Sequence, residues 1–190
     1  MSSGIYTALS GAMAKETSLT IAANNIANMS TVGYRPDRLT FKEVLSPSDP
    51  LAPDRGKRFV VVDEQHTVTV QGRLRQTDGV LDMALSGPGF FALETPEGER
   101  FTRNGSFTRG ADGQIMTHNG FPLQGRGGGA LVIPPDTAQV QVASDGSVSA
   151  DGEEIGSVRI VEFDDLQSLE KQGLVIYKAT EDNPARDAEE

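Results

Sequence analysis

The 190-residue chain is long enough for one ordinary domain, or for a small domain joined to an assembly segment. It sets 27 acidic against 17 basic side chains, a net of −10 that repels phosphate backbones and disfavours nucleic-acid binding, and its lack of cysteine excludes disulfides and thiolate chemistry. With 21 glycines, 10 prolines and 6% aromatic residues, it favours many turns over long packed helices, so the expectation is a mainly β chain with helix confined to particular stretches.

The clearest periodicity comes first. Ile5, Ala12, Leu19 and Ile26 recur every seven residues, with Leu9, Glu16 and Ala23 in the intervening slot. This 4-3 alternation is the seam of a helix that packs along another helix, and Glu16 is its one polar intruder. Gly33 and Pro36 punctuate its end, which predicts a helix from about Ile5 to Asn28, roughly 36 Å long at ~1.5 Å per residue. Such a helix is marginal alone. Its seam holds only four large side chains, each adding about 1.5–3 kcal/mol on burial, and Gly11 in its interior costs about 1 kcal/mol relative to Ala. The rest of the chain shows no second heptad of similar length, so the expected partner lies in other subunits, against the alternative of packing on its own domain. Asn24, Asn25 and Asn28 are poor helix formers near its end. They suit either C-terminal capping or amide bonds that fix register across a helix–helix interface.

Nothing in the opening segment resembles a cleaved leader: no charge precedes Lys15, and Ser10, Gly11 and Thr17 to Thr20 interrupt any apolar core. A cytoplasmic location and an export route that leaves no cleaved sequence both stay open. No apolar run approaches the ~20 residues of a membrane span.

After Gly33, Pro36, Pro47, Pro50 and Pro53 make residues 35–58 an irregular connector, with a short helix expected near Leu39 to Leu45. Phe59 to Val62 and Thr67 to Val70 read as two strands of a hairpin turned at Asp63 to His66. Leu81 to Leu85 alternates as a half-buried strand, and Phe90 to Leu93 is another. Asn104-Gly105, Asp112-Gly113, Asn119-Gly120, Asp145-Gly146 and Asp151-Gly152 are hairpin-turn dipeptides. They separate short strands at Ser106 to Arg109, Gln114 to Thr117 and around Val148; Val158 to Phe163 and Leu174 to Tyr177 close the set. The predicted architecture is an antiparallel meander or partly open barrel-like β domain plus an N-terminal assembly helix. Its divisions are residues 1–32 (helix), 33–75 (connector with short strands), 76–180 (β domain) and 181–190, a disordered acidic tail. Residues 151–190 hold 12 acids and 4 bases, so most of the net charge of −10 lies there.

Catalytic constellations are weak. His66 and His118 stand 52 residues apart in predicted turns, and no paired spacing supports a metal site. The run Gly125 to Gly129 lacks the Lys-Ser/Thr pair of a phosphate loop and leads into no helix. Ser86 fails the nucleophile-elbow pattern. The Asp-Gly turns lack the alternating carboxylates of a calcium loop, and Glu153-Glu154 and Asp164-Asp165 read as solvated. No enzyme, metal or cofactor is expected. A sugar- or peptide-binding module would want an exposed aromatic patch, for which three tyrosines are thin supply.

One resemblance is specific. L-T-I-A-A-N-N-I-A-N-M-S-T-V-G-Y-R-P, from Leu19 to Pro36, is similar to the N-terminal signature of the bacterial flagellar axial proteins of rod and hook. G-V-L-D-M-A-L-S-G-P-G-F-F-A-L (Gly79 to Leu93) and R-F-T-R-N-G-S-F (Arg100 to Phe107) resemble the segment those proteins share in their β domain. Ile5 to Ala12 and Asp145 to Ala150 look most like the proximal-rod branch; a distal-rod or hook-type paralogue and a non-flagellar binding module are the alternatives. The resemblance implies a structural subunit of the basal-body rod, exported through the flagellar type III apparatus without a cleaved signal. It implies polymerisation with other rod proteins into a helical shaft across the periplasm, the helix lining the inner tube and the β domain outside. Its partners would be rod proteins and the export apparatus, with no nucleic acid and no small-molecule substrate. Carried over residue by residue, the assembly positions are Ile5, Leu9, Ala12, Leu19, Ala23 and Ile26, with Asn24, Asn25 and Asn28 in the shared signature. Members of that family end in a second long helix that pairs with the first. No such pattern follows Tyr177 to Thr180, which implies either a shortened form or a first helix that depends wholly on other subunits.

Overall fold

A computed structural model describes residues 2–46 and 57–188 and divides the chain into two units, residues 1–30 with 35–69 and residues 31–34 with 70–190. It is mainly β with one N-terminal helix, and its sheets are antiparallel and do not close into a barrel.

In the first unit, helix α1 spans Ser2–Ala27. It has no acidic residue in its first turn and no basic residue in its last, so its dipole gains nothing from its own termini. Strands β1 (Asp37–Ser46) and β2 (Lys57–Thr67) form a long antiparallel hairpin, in register from Asp37 opposite Thr67 to Ser46 opposite Lys57. A bulge lies between Thr40 and Phe41. Two expectations are corrected here. The stretch Leu39 to Leu45 is strand, not helix: seven residues scarcely repay helix nucleation, whereas Phe41 and Val44 face Val62 and Phe59 across a ladder. Asp63 to His66 is no turn either. It contains no glycine, and it continues β2, with Glu64, Gln65 and His66 opposite Thr40, Leu39 and Arg38. Proline-rich residues 47–56 lie outside the described residues. Helix α1 packs mainly on β2 and also touches β1.

The second unit contains β3 (Phe90–Thr95), β4 (Gly98–Thr102), β5 (Phe107–Arg109), β6 (Ile115–Thr117), β7 (Val140–Val142), β8 (Ser147–Ala150) and β9 (Glu153–Ser157). These are followed by β10 (Ile160–Glu162), β11 (Glu170–Gln172), β12 (Ile176–Lys178) and β13 (Arg186–Asp187). The principal sheet runs β11-β12-β4-β3-β10-β13, beside a β5-β6 hairpin and a β7-β8-β9 sheet. Strand β3 lies near its middle, and all of Phe90 to Leu93 is buried because both faces of the sheet are covered. Phe91 and Leu93 join Phe107, Ile115, Leu123, Leu131, Ile133, Val148 and Val158. On the other face, Phe90 and Ala92 join Phe101, Val161, Phe163 and Tyr177. The rings meet edge to face, Phe90 with Phe163 at 5.6 Å and with Tyr177 at 5.5 Å between centroids.

Leu81 to Leu85 keeps the predicted alternation, with Leu81, Met83 and Leu85 packed on the core, yet it pairs only through one bridge from Asp82 to Ser106. The turn dipeptides at Gly113, Gly120, Gly146 and Gly152 take positive φ as expected. Asn104-Gly105 does not: Gly105 lacks positive φ, and a Cβ there would lie 1.6 Å from the Met83 carbonyl oxygen. That glycine serves close backbone approach rather than a turn. Residues 181–188 were expected to be disordered and are instead placed. Strand β13 pairs with β10, and the buried Asn183 donates through Nδ2 to the Asp165 carbonyl at 2.6 Å and to Ser168 Oγ at 2.8 Å. Exposed ion pairs accompany this pairing, Arg186 with Asp164 at 2.6 Å and Arg159 with Asp187 at 2.7 Å, each adding at most about 1 kcal/mol. Burial disfavours the Arg159 cation, but Asp187 and Glu99 outweigh it and raise its pKa.

Candidate assembly surface

At about 100° per residue, the positions of α1 fall into two opposed stripes. From Gly11 onward the buried or half-buried ones are Gly11, Ala14, Ser18, Ile21 and Asn25, spaced by three and four, and Asn28 continues the series just past the helix. Because α1 packs on the hairpin, this is its inward face. The predicted seam lies on the other side. Ile5, Leu9, Leu19 and Ile26 are 67%, 51%, 69% and 69% exposed, and Ala12 and Ala23 are exposed as well. Apolar side chains turned to water in this way are an unpartnered face. The own-chain alternative holds for the inward stripe, while the seam faces water.

Off the seam, Tyr6 and Met13 are 62% and 60% exposed as well. Lys15 and Glu16 are the helix's only charged residues. Ser10, Thr17 and Thr20 turn their hydroxyls back onto the carbonyls of Thr7, Met13 and Glu16 at 2.9, 3.0 and 3.0 Å, so those groups are already satisfied within the helix.

The three asparagines separate into different roles. Asn25 Nδ2 donates to the Asp37 carbonyl at 2.9 Å, and its Oδ1 accepts from the Asp37 N–H at 3.1 Å. Its amide therefore extends the hairpin as a peptide group would. Asn28 Nδ2 donates to the Asn24 carbonyl at 2.8 Å, a cap on the helix end. Asn24 is exposed. The inward stripe carries little hydrophobic signal in the sequence because all of it but Ile21 is Gly, Ala, Ser and Asn; its 3-4 spacing is the available clue. Further along the same signature, Gly33 takes φ +74 and a Cβ there would lie 2.4 Å from the Asn104 nitrogen. Tyr34 lies under Lys171, whose Nζ is 4.8 Å from its ring centroid. Thr31 to Tyr34 thus belong to the β unit.

Among the described residues no cluster of His, Asp or Glu could hold a metal ion, and no helix is long and apolar enough to cross a membrane. His118 is exposed beside its turn, while His66 lies half-buried in β2 rather than in one. Gly125 to Gly129 is a tight turn closed by Gly125 N–H on the Gly129 carbonyl at 3.0 Å, not a phosphate cradle. A shallow depression of about 330 Å³ is lined by Asp136, Asp151, Glu153 and Glu154. Asp151 there accepts from the Ala138 and Gln139 N–H groups at 3.0 and 2.8 Å, which is loop structure rather than catalysis.

Comparison with known proteins supplies the context for this surface. Residues 5–35 match the family described as flagella basal body rod protein, and residues 84–150 match the flagellar hook protein FlgE/F/G D1 domain. The chain is 35% identical over 181 residues to the flagellar basal-body rod protein FlgF of Caulobacter vibrioides, covering 95% of this chain and 74% of that one. It is 34% identical over 164 residues to FlgF of Rhizobium meliloti (86% and 66%) and 30% identical over 190 residues to the rod protein FlgG of Bacillus subtilis (92% and 72%).

Proposed function

The chain belongs to the flagellar basal-body rod protein family, and from that membership we propose that it builds the rod through the outward seam of α1 while its β unit forms the body of the subunit. Its homologues are rod proteins of both the FlgF and FlgG kinds, and the role is structural. Membership implies assembly with other rod and axial proteins within the flagellum. The finer assignment, to the proximal-rod branch, draws on Ile5 to Ala12 and Asp145 to Ala150.

One observation carries the reading: four large apolar side chains along one helix edge face water while the opposite edge is occupied by the chain's own hairpin. Ile5, Leu9, Ala12, Leu19, Ala23 and Ile26 are the proposed contacts with neighbouring axial subunits, and burying the four large ones adds about 1.5–3 kcal/mol each. Of the signature amides, Asn24 is the one left for a partner, since Asn25 and Asn28 are engaged within the chain. The subunit has no catalytic role in this reading. In this reading the subunit reaches the rod through the flagellar export apparatus and lies in the part of the shaft that crosses the periplasm.

Deleting residues 2–30 tests the proposal. The β unit should remain folded by circular dichroism, while the protein no longer enters purified basal bodies and cells lose motility. Normal incorporation of the deleted chain would overturn it.

A further inference from the structure

Helix α1 is mounted against its own hydrophobic preference. Given a hairpin rich in valine and phenylalanine, an amphipathic helix gains most by burying its largest apolar side chains. Here Gly11, Ala14 and Ser18 are turned in with Ile21 as the one large apolar side chain among them, while Ile5, Leu9, Leu19 and Ile26 are left out. The polar contact that opposes a roll of the helix is on the same inward stripe. Asn25 makes two hydrogen bonds to the backbone of Asp37, the first residue of β1, and the Asp37 carboxylate accepts from Thr67 Oγ1 at 2.8 Å, at the last residue of β2. One connected chain thus runs from helix to both strands at the root of the hairpin.

We infer that Asn25 is a positioning residue: its amide clamps α1 in one rotational setting, holding the Gly11–Ala14–Ser18 stripe on the hairpin and keeping the seam outward and available. The pairing is directional. Only a side-chain amide presents a donor and an acceptor side by side at this reach, matching the N–H and C=O of one residue. An apolar residue at position 25 loses both bonds, and a rotated helix would bury the seam on its own hairpin. The clamp is therefore a device against self-occlusion. Its consequence for assembly rests on the seam being the assembling face, but the clamp itself is read in the isolated chain.

The absence of cysteine makes the test clean. In the full chain, Ala14→Cys places a thiol on the inward stripe and Ala12→Cys places one on the seam, and each is labelled with a maleimide. In the parent background the seam thiol reacts fast and the inward one slowly. Adding Asn25→Ala should speed labelling at the inward position by about tenfold or more, as loss of two hydrogen bonds to a marginal helix requires. Asn24→Ala, on the exposed side, should leave it unchanged. Alanine favours helix over asparagine, so a rise in rate reflects the lost clamp whether the helix rolls or detaches. Unchanged inward labelling with Asn25→Ala, or an equal rise with Asn24→Ala, overturns the inference. Neither outcome depends on whether the rod forms, so it can fail while the assembly reading stands, and the reverse.

Discussion

Replacing Leu19 by Glu separates assembly from folding. Leu19 is 69% exposed on α1, and its neighbours along the seam are exposed too. Leu and Glu have comparable helix propensity, so the isolated subunit should change stability by no more than about 0.5 kcal/mol. In the assembled rod the same position would be covered. There the variant forfeits about 1.5–3 kcal/mol of apolar burial and must strip water from a carboxylate without a partner, at a further cost of several kcal/mol. At ~1.4 kcal/mol per tenfold, the sum weakens each subunit contact by a hundredfold or more. The assay pairs thermal unfolding of the purified chain with swimming of the source bacterium carrying only the variant, and with immunodetection of the subunit in purified basal bodies. Unchanged melting with lost incorporation and motility is the expected result. A variant that swims normally at normal protein level refutes the reasoning, and so does a large drop in melting temperature, which would make Leu19 part of the fold.

Two further outcomes follow from the β unit. Gly105→Ala pushes a Cβ to 1.6 Å from the Met83 carbonyl oxygen and must break the Met83 N–H bond to the Gly105 carbonyl, 2.8 Å long; overpacking and the lost bond together cost about 2–4 kcal/mol by thermal or urea unfolding. Gly120→Ala, at φ +83 with nothing within 4 Å, costs only about 1 kcal/mol, so a larger loss at 120 than at 105 would contradict the close-approach argument. Asp145 accepts from the Ser147 N–H at 3.0 Å and its hydroxyl at 2.7 Å, which lowers its pKa below 3.8. A carboxylate with a depressed folded pKa contributes to its turn above pH 3.8 and loses that contribution as pH falls through the lowered value. NMR titration of the Asp145 carboxyl should therefore show a midpoint below 3.8, and a midpoint above it would contradict the turn geometry.

The sequence alone determined what local chemistry could encode. Seven-residue spacing announced α1, Asp-Gly and Asn-Gly dipeptides announced the tight turns at Asp112, Asn119, Asp145 and Asp151, and the Phe90 to Leu93 run announced a buried strand. The same spacing marked an apolar seam. Tertiary structure decided whatever depended on a distant partner. Leu39 to Leu45 became strand because residues 57–67 lie alongside it, and Gly105 is glycine because Met83 passes within reach. Arg186 and Asp187 joined a sheet because β10 lies alongside them and Asn183 is bonded to Asp165 and Ser168 just before. Above all, the direction in which the seam points could not be read from α1 by itself. A helix pattern defines faces but not which one meets the body of its own chain, and here two hydrogen bonds from Asn25 to Asp37, twelve residues on, fix the choice.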